Sequence, residues 1–303
     1  MAGIITTGNH PKALWPGVKA WFGRQYNEHK PEYVDLFDMD TSSKNYEELV
    51  ELTGFGLAPE KDQTQSVTYD SETQGITQRI VHVAYALGYM VSREELDDNL
   101  YEIVSKRRAR ALAFSIRQTK ENVGANIYNR AFSSTYLFAD GKELLATDHP
   151  SLSGDQQNEL TTAADMSEAS LEDLVILIMG ATNSKGLKIS LLPRSLIVPR
   201  NLWFDANRIL KATLQPDVMS NNPNVLKMTN TFPEGIKMNH YLTDTDAFFI
   251  RTNCPEGLMC LQRTAVEFTQ DNDFDTMSAK AKGYERYSFG FGDWRTLYGS
   301  PGA

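Results

Sequence analysis

Cysteine, metal-type histidine spacing, long apolar runs and net positive charge are all scarce in this sequence, and each scarcity closes a class of function. Two cysteines, Cys254 and Cys260, occur in 303 residues. That is too few for a disulfide framework, so both read as reduced and packed. The five histidines stand at positions 10, 29, 82, 149 and 240 with no His-x-x-x-His or His-Glu-x-x-His spacing. The cysteines have no second pair with which to hold zinc. No metal or cofactor is expected. No window approaches the ~18 apolar residues of a membrane span, and the most apolar stretch, Leu171 to Met179, is far too short. The opening Met1-Ala2-Gly3-Ile4-Ile5-Thr6-Thr7 lacks the basic and apolar regions of a secretory signal, which implies a chain that stays in the cytoplasm. Thirty Lys and Arg against 39 Asp and Glu leave a net charge of −9. A protein that grips DNA or an anionic membrane normally shows the opposite excess. A Walker lysine motif is missing, and Gly290-Phe291-Gly292 lacks the strand-to-helix setting of a dinucleotide loop.

What is present is enough apolar material, 41% of residues, for a sizeable core. The length suggests two lobes, or one domain with long appendages. Lys12 to His29 can form a short amphipathic helix with Leu14, Val18, Trp21 and Phe22 on one side, and 30–60, broken by Pro31, Gly54, Gly56 and Pro59, reads as an extended arm. Thr64 to Tyr69 reads as a strand, Asp70 to Gly75 as a turn, and Ile76 to Val91 as a long returning strand. Its Val81, Val83, Tyr85, Leu87, Tyr89 and Val91 share one face at period two. A lone ribbon is marginal in water, so that face needs another surface to cover it. Ser92 with Glu95 forms a capping box that opens a helix reaching about Ala131. Leu96, Leu100, Ile103, Val104, Ala111, Leu112, Ile116, Val123 and Ile127 supply its apolar stripe, over roughly 55–60 Å at ~1.5 Å per residue. Beyond it the expected elements are a hairpin around Asp140-Gly141 and a helix capped by Ser167 or Ser170. A strand at Leu196–Pro199, a helix over Leu202–Leu214 and a loop over Gln215–Asn230 follow. Strands at Ile236–Leu242, Ala247–Thr252 and Ala265–Thr269 lead to a turn at Asp271-Asn272-Asp273. The fold class is α+β.

Few residues suggest chemistry. Asp148-His149 could be a catalytic dyad, but sequence neighbours rarely face each other and Pro150 marks a loop. Lys106-Arg107-Arg108-Ala109-Arg110 could touch nucleic acid, yet its charges spread around the helix as a solvated or ion-paired face does. Trp15 and Trp21 fit an apolar helix face docked on protein better than one lying at a membrane.

In this order the elements resemble the major capsid proteins of tailed bacteriophages (Caudoviricetes), the Hong Kong 97-type shell fold. Two phrases carry the likeness further. Leu144-Leu145-Ala146-Thr147-Asp148-His149-Pro150 with Gln156-Gln157-Asn158 is similar to that family's Thr-x-His-Pro segment and its downstream Gln-x-Asn. Gly283-Tyr284-Glu285-Arg286-Tyr287-Ser288-Phe289-Gly290, running on to Trp294 and Tyr298-Gly299-Ser300, is similar to the closing strands of Mu-like major head subunits. The resemblance implies an N-terminal arm at 1–62, an extended two-stranded loop at 63–91 and a spine helix of the peripheral domain at 92–132. An axial domain at 133–253 and C-terminal strands at 254–303 complete it. The short arm departs from members that carry a fused scaffolding segment.

The implied function is structural, not enzymatic. Such subunits assemble into pentamers and hexamers of an icosahedral shell that encloses double-stranded DNA without reading its sequence, in the virion, after assembly in the host cytoplasm. Implied partners are further copies of the chain, portal and scaffolding proteins, and a decoration or cement protein; no membrane is involved. Asp70, Gly75, Ile76, Arg79, Val81, Val83, Tyr85, Trp15 and Trp21 are the expected inter-subunit residues, and Asn221, Asn222, Pro223 and Asn224 the expected capsomer-axis loop. Some relatives weld subunits by a lysine on the extended loop. Here the tip from Asp70 to Arg79 has none and Lys61 is expected at the ribbon's base, which implies a non-covalent shell. An encapsulin-like compartment, and more remotely a soluble enzyme, are the alternatives.

Overall fold

The computed structural model describes residues 22–27, 30–94, 101–214, 222–273 and 275–303, with the side chains of 101–106 outside that description. Two four-stranded sheets and one two-stranded ribbon organise the chain. Helix α1 (Tyr33–Leu36) leads into β1 (Asp38–Thr41), β2 (Tyr46–Leu52), β3 (Gln74–Val81) and β4 (Val83–Val91), and then into the long helix α2 (Tyr101–Asn129). After α3 (Glu168–Met179) come β5 (Pro193–Pro199), α4 (Trp203–Lys211), α5 (Val225–Met228), β6 (Ile236–Asn239) and β7 (Phe248–Thr252). The chain closes with β8 (Leu258–Asn272), β9 (Ala279–Phe291) and β10 (Leu297–Ser300).

The first sheet has the order β1-β8-β9-β4 and the second β10-β7-β5-β6. Long antiparallel pairing of β8 with β9 turns at 273–278, close to the expected Asp271–Asp273. The last strand does not stay with them. β10 pairs with β7 in the second sheet, so the C-terminal segment ties the two sheets together instead of completing only the first. One core lies between the sheets, built by Tyr128 and Ala131 at the end of α2, Ile197 and Phe249 from the second sheet, and Leu258 and Cys260 from the first. The second sheet's opposite face buries Leu196, Val198, Phe248 and Ile250 under α3 and α4. An unbroken run such as Leu196-Ile197-Val198 is what a strand covered on both faces requires.

Helix α2 is 29 residues as described, about 44 Å at ~1.5 Å rise; the expected capping box falls partly outside the described residues. Its buried stripe runs through Ala109, Leu112, Ala113, Ile116, Lys120, Ala125 and Tyr128. That corrects the sequence reading, which counted Ala111 and Val123 and had no place for Lys120. Gly124 lies on the same stripe, where a Cβ would sit 3.2 Å from the Phe289 ring and 3.5 Å from that of Phe37. Its missing side chain sets how closely α2 approaches β9. In α3 the cap is Ser167: the N–H of Ser170 donates to Ser167 Oγ (3.1 Å), and the Ser167 N–H donates to Ser170 Oγ (2.9 Å).

Three expected elements differ. The loop expected over Gln215–Asn230 contains the one-turn helix α5, capped by Asn224. The hairpin at Asp140-Gly141 is a turn without strands, in which Gly141 takes φ +84°. The ribbon is built from other residues: β3 pairs with β2, with Tyr46 opposite Val81 and Leu49 opposite Gln78, and 64–69 forms no strand. Val83–Val91 leaves the ribbon altogether and pairs with β9. The period-two signal was real for both halves of 76–91, but periodicity does not say which partner covers a strand.

Candidate assembly surfaces

The phrase ending in His149-Pro150 folds into a closed polar clip. A bridge joins His149 and Gln156 through both backbone pairs, the His149 N–H donating to Gln156 O (2.7 Å) and the Gln156 N–H to His149 O (2.9 Å). His149 is fully buried, Nδ1 lies 2.6 Å from Asp140 Oδ2, and Nε2 lies 3.2 Å from Asn158 Oδ1. The ring stacks on Trp294 at 4.2 Å between centroids and 3° between planes. The histidine's partner is therefore Asp140; Asp148 points outward and pairs with Lys142. Asn158 accepts the Ala146 N–H (2.9 Å) and donates to the carbonyls of Leu144 (2.7 Å), Trp294 (3.2 Å) and Leu297 (3.0 Å). One fully buried amide thus satisfies backbone groups from both sequence phrases, which explains how an irregular loop lying along the edge strand β10 can be buried.

The clip continues outward through Arg295, which is 4% exposed. Its Nε donates to Thr182 O (3.0 Å), Nη1 to Asp293 (3.2 Å) and Nη2 to Gln156 Oε1 (3.1 Å). Glu51 on the ribbon lies 4.0 Å away. The His149 ring is sealed from solvent and its two nitrogens face partners within the chain, so the clip holds structure.

The ribbon has two faces with different duties. On β3 Ile76 and Ile80 point inward, Ile76 onto the inter-sheet core and Ile80 against Gly290. On β2 Leu49 points inward beside Gly292. The outward residues are Tyr46, Glu48, Val50 and Leu52 on β2, and Gly75, Thr77, Arg79 and Val81 on β3, all exposed. Arg79 donates to Glu48 directly opposite (2.8 and 2.5 Å) and covers the Tyr46 ring at 4.4 Å. Beyond the paired part, the connection 53–73 exposes Phe55, Leu57, Val67 and Tyr69, the last at 91%. An apolar set of this kind on one projection marks an interaction surface.

The expected inter-subunit residues therefore separate. Asp70, Gly75, Arg79 and Val81 lie on the ribbon's exposed parts, whereas Ile76 packs on its own subunit. Val83 and Tyr85 belong to the first sheet, where Val83 is exposed and the half-buried Tyr85 stacks on Tyr287 at 4.7 Å. Trp15 and Trp21 lie outside the described residues. The placement of Lys61 is also corrected: it sits in the connection, exposed, at the ribbon's far end and not at its base. The argument for a non-covalent shell from poor lysine reach goes with it. In the expected axis loop, Asn221 is outside the described residues, Asn222 is exposed, and Pro223 bridges Leu214. Asn224 is fully buried; its side chain caps α5 at Lys227 N (3.2 Å) and contacts Ile209 O. It is a structural cap. Of the basic cluster, Ala109 is buried and Arg107 and Arg110 are exposed, as a solvated face would be.

Sequence reasoning missed a buried ion pair. Lys120, in the middle of the α2 stripe, contacts Glu285 of β9, both at 2% exposure or less. Lys120 Nζ also donates to Gln262 Oε1 (2.5 Å), whose Nε2 donates to Glu285 Oε1 (2.9 Å), and Tyr26 donates to Glu285 Oε2 (3.1 Å). The Tyr33 and Tyr287 rings lie 5.1 and 4.7 Å from the ammonium. Burial of both charges is tolerated because every remaining valence is met. Its signal was visible: a lysine spaced 116, 120, 124 with apolar neighbours. Next to it, Glu121 accepts the backbone N–H groups of Glu32 and Tyr33 (3.0 Å each), fastening α1 and the arm to the helix. Burial holds this carboxyl above its ordinary range. His82, between β3 and β4, is buried with Nδ1 2.9 Å from Ser288 Oγ. Burial and then Arg286 keep its pKa below the usual histidine value, so the pivot between ribbon and sheet is uncharged at neutral pH.

Among the described residues no cluster of His, Cys, Asp and Glu could hold a metal ion, and no helix is long and apolar enough to cross a membrane. The chain shares its fold with the virus-like particle from Pyrococcus furiosus, at 12% identity and a TM-score of 0.56 over 95% of this chain and 99% of that one. The capsid of Myoviridae phage XM1 aligns over 100% of both chains at 11% identity and a TM-score of 0.49. The bacteriophage JBD30 capsid aligns over 98% of this chain and 73% of that one, at 12% identity and a TM-score of 0.48. No curated protein sequence matches. The model of the phage capsid protein family matches residues 75–300. That span holds the clip, the whole second sheet, three of the four strands of the first and the long helix: the chain belongs to the phage capsid protein family and is a shell subunit of the Hong Kong 97-type fold.

Proposed function

We propose that this subunit builds the head of a tailed phage as pentamers and hexamers of a closed icosahedral shell around double-stranded DNA, with no catalytic role. In this reading the first sheet and α2 form the peripheral lobe. The second sheet with α3–α5 forms the axial lobe, with 222–230 toward the capsomer axis. The observation that carries it is the ribbon's division of labour. Ile76, Ile80 and Leu49 fix its base on its own subunit, while Leu52, Phe55, Leu57, Val67, Tyr69 and Val81 stay exposed. Such a surface is covered only when a neighbouring copy supplies the other side, and repeated modest contacts of this kind close a symmetric shell. The acidic balance suits a wall that encloses DNA without holding it. Portal, scaffolding and cement proteins, and assembly in the host cytoplasm, belong to the same reading.

Electron microscopy of the purified chain, alone and with its scaffold, should show closed particles tens of nanometres across. Protein that stays monomeric or dimeric at high concentration under both conditions contradicts the proposal. Cargo separates a head from an encapsulin-like compartment: DNA in particles from infected cells supports the head, and a co-purifying enzyme supports the compartment.

A further inference from the structure

The second lobe reaches out and holds the ribbon. Residues 182–188 form a small hairpin closed by the Thr182–Lys188 bridge, in which Asn183 Oδ1 accepts the N–H groups of Lys185 (3.1 Å) and Leu187 (2.8 Å). Gly186 makes the turn at φ +83°. This geometry sets Ser184 and Lys185 against the ribbon. Lys185 Nζ donates to Asp70 Oδ2 (2.9 Å) and to Ser71 O (2.9 Å), and lies 6.0 Å over the Phe55 ring. Asp70 in turn gathers the connection, accepting the Gly56 N–H at Oδ2 (2.7 Å) and the Ser71 N–H at Oδ1 (2.8 Å). Ser184 Oγ donates to Glu51 Oε1 on the other ribbon arm. Both arms of the ribbon are therefore tied to one hairpin more than 100 residues away in sequence.

We infer that the 182–188 hairpin is an intramolecular latch, which parks the ribbon on its own subunit until a neighbouring copy takes it. The inference rests on the shell reading and adds a control to it. Its strength suits release. Asp70 is 47% exposed, and an exposed ion pair is weak and screened by salt, whereas the apolar contacts a neighbour offers are not. Lys185 is only 19% exposed, so the parked state is nonetheless defined. Bonds from Gly56, Lys185 and Ser71 hold the Asp70 carboxyl down to about 2, so salt and not mild acid opens the latch.

The test uses the full chain as Lys185→Ala, as Asp70→Asn, and as the charge exchange Lys185→Asp with Asp70→Lys. In unassembled protein, amide hydrogen exchange across 53–73 should rise severalfold in each single variant and fall back in the exchanged pair. Assembly followed by light scattering should start sooner in the single variants and lose most of its acceleration by salt. Unchanged exchange at 53–73 overturns the latch, and so does slower assembly, which would place the pair in the assembled contact. A wild type that forms no shells defeats the shell reading, whereas unchanged exchange alone defeats the latch.

Discussion

The polar clip and the ribbon are joined through Arg295 and Glu51, yet they use their side chains in opposite ways. In the clip Asp140, His149 and Asn158 are buried and turn every polar atom toward the chain itself. In the ribbon one face is bonded to its own subunit and the other is left exposed, with its one strong cross-strand pair, Arg79–Glu48, in solvent. The first arrangement concentrates folding energy; the second reserves surface for association. What separates them is burial: a hydrogen bond that is removed in the interior leaves an unsatisfied partner, whereas one removed at the surface is replaced by water. Substitutions in the buried body should therefore change stability, and substitutions on the ribbon's exposed face should change assembly alone.

The largest effect is expected at the ion pair under α2. Lys120→Met leaves Glu285 buried without its cation and should cost about 3–5 kcal/mol. Lys120→Met together with Glu285→Leu should recover most of it, read by chemical denaturation. A single variant as stable as wild type would show that the pair is solvated. Next comes the clip. Asn158→Ala strands the carbonyls of Leu144, Trp294 and Leu297 and should cost roughly 2–4 kcal/mol. His149→Ala keeps those bonds and should cost less, ~0.5–3 kcal/mol, with particles still forming. Reversing that order would put the anchor of the clip in the ring and not in the amide.

The smallest effect separates the two regions by pH. Burial, and then Glu143, raise the half-buried Glu159 carboxyl to about 7 beside Gly299. The folded chain thus binds this proton more tightly than the unfolded chain does, so the contribution of Glu159 is fullest in acid and is lost as pH rises from the ordinary carboxylate range through about 7. Thermal melts should fall slightly across that window, and Glu159→Gln should flatten the slope; an unchanged slope would remove Glu159 as its cause.

Much of the architecture was legible in the sequence, and the misses have one physical origin. Local signals were sound: Ser167 capped α3, the 3.6-residue period located α2, and the strands expected at 236–242, 247–252 and 265–269 overlap β6, β7 and the longer β8. Pairing was not local. Ile76–Val81 and Val83–Val91 share one period-two pattern, but β2 covers the first and β9 the second, and nothing between 76 and 91 announces the change at His82. The two phrases behind the family resemblance read as packing signatures, and Asn158 shows why they occur together, bonding Leu144 at one end and Leu297 at the other. Lys120 stands visibly on the apolar stripe, but its partner Glu285, like the partners of the 182–188 latch, lies more than 100 residues away and left no local sign.

The division between a self-satisfied body and a ribbon kept for its neighbours is tested most directly by shortening the ribbon. Replacing 57–67 by a short Gly-Ser link spares β2, β3, Ile76 and Asp70 while removing Leu57 and Val67. The variant should melt within a few degrees of wild type, remain a soluble subunit, and form no closed particles under electron microscopy. Normal shells from that variant, or a large fall in melting temperature, would contradict the account.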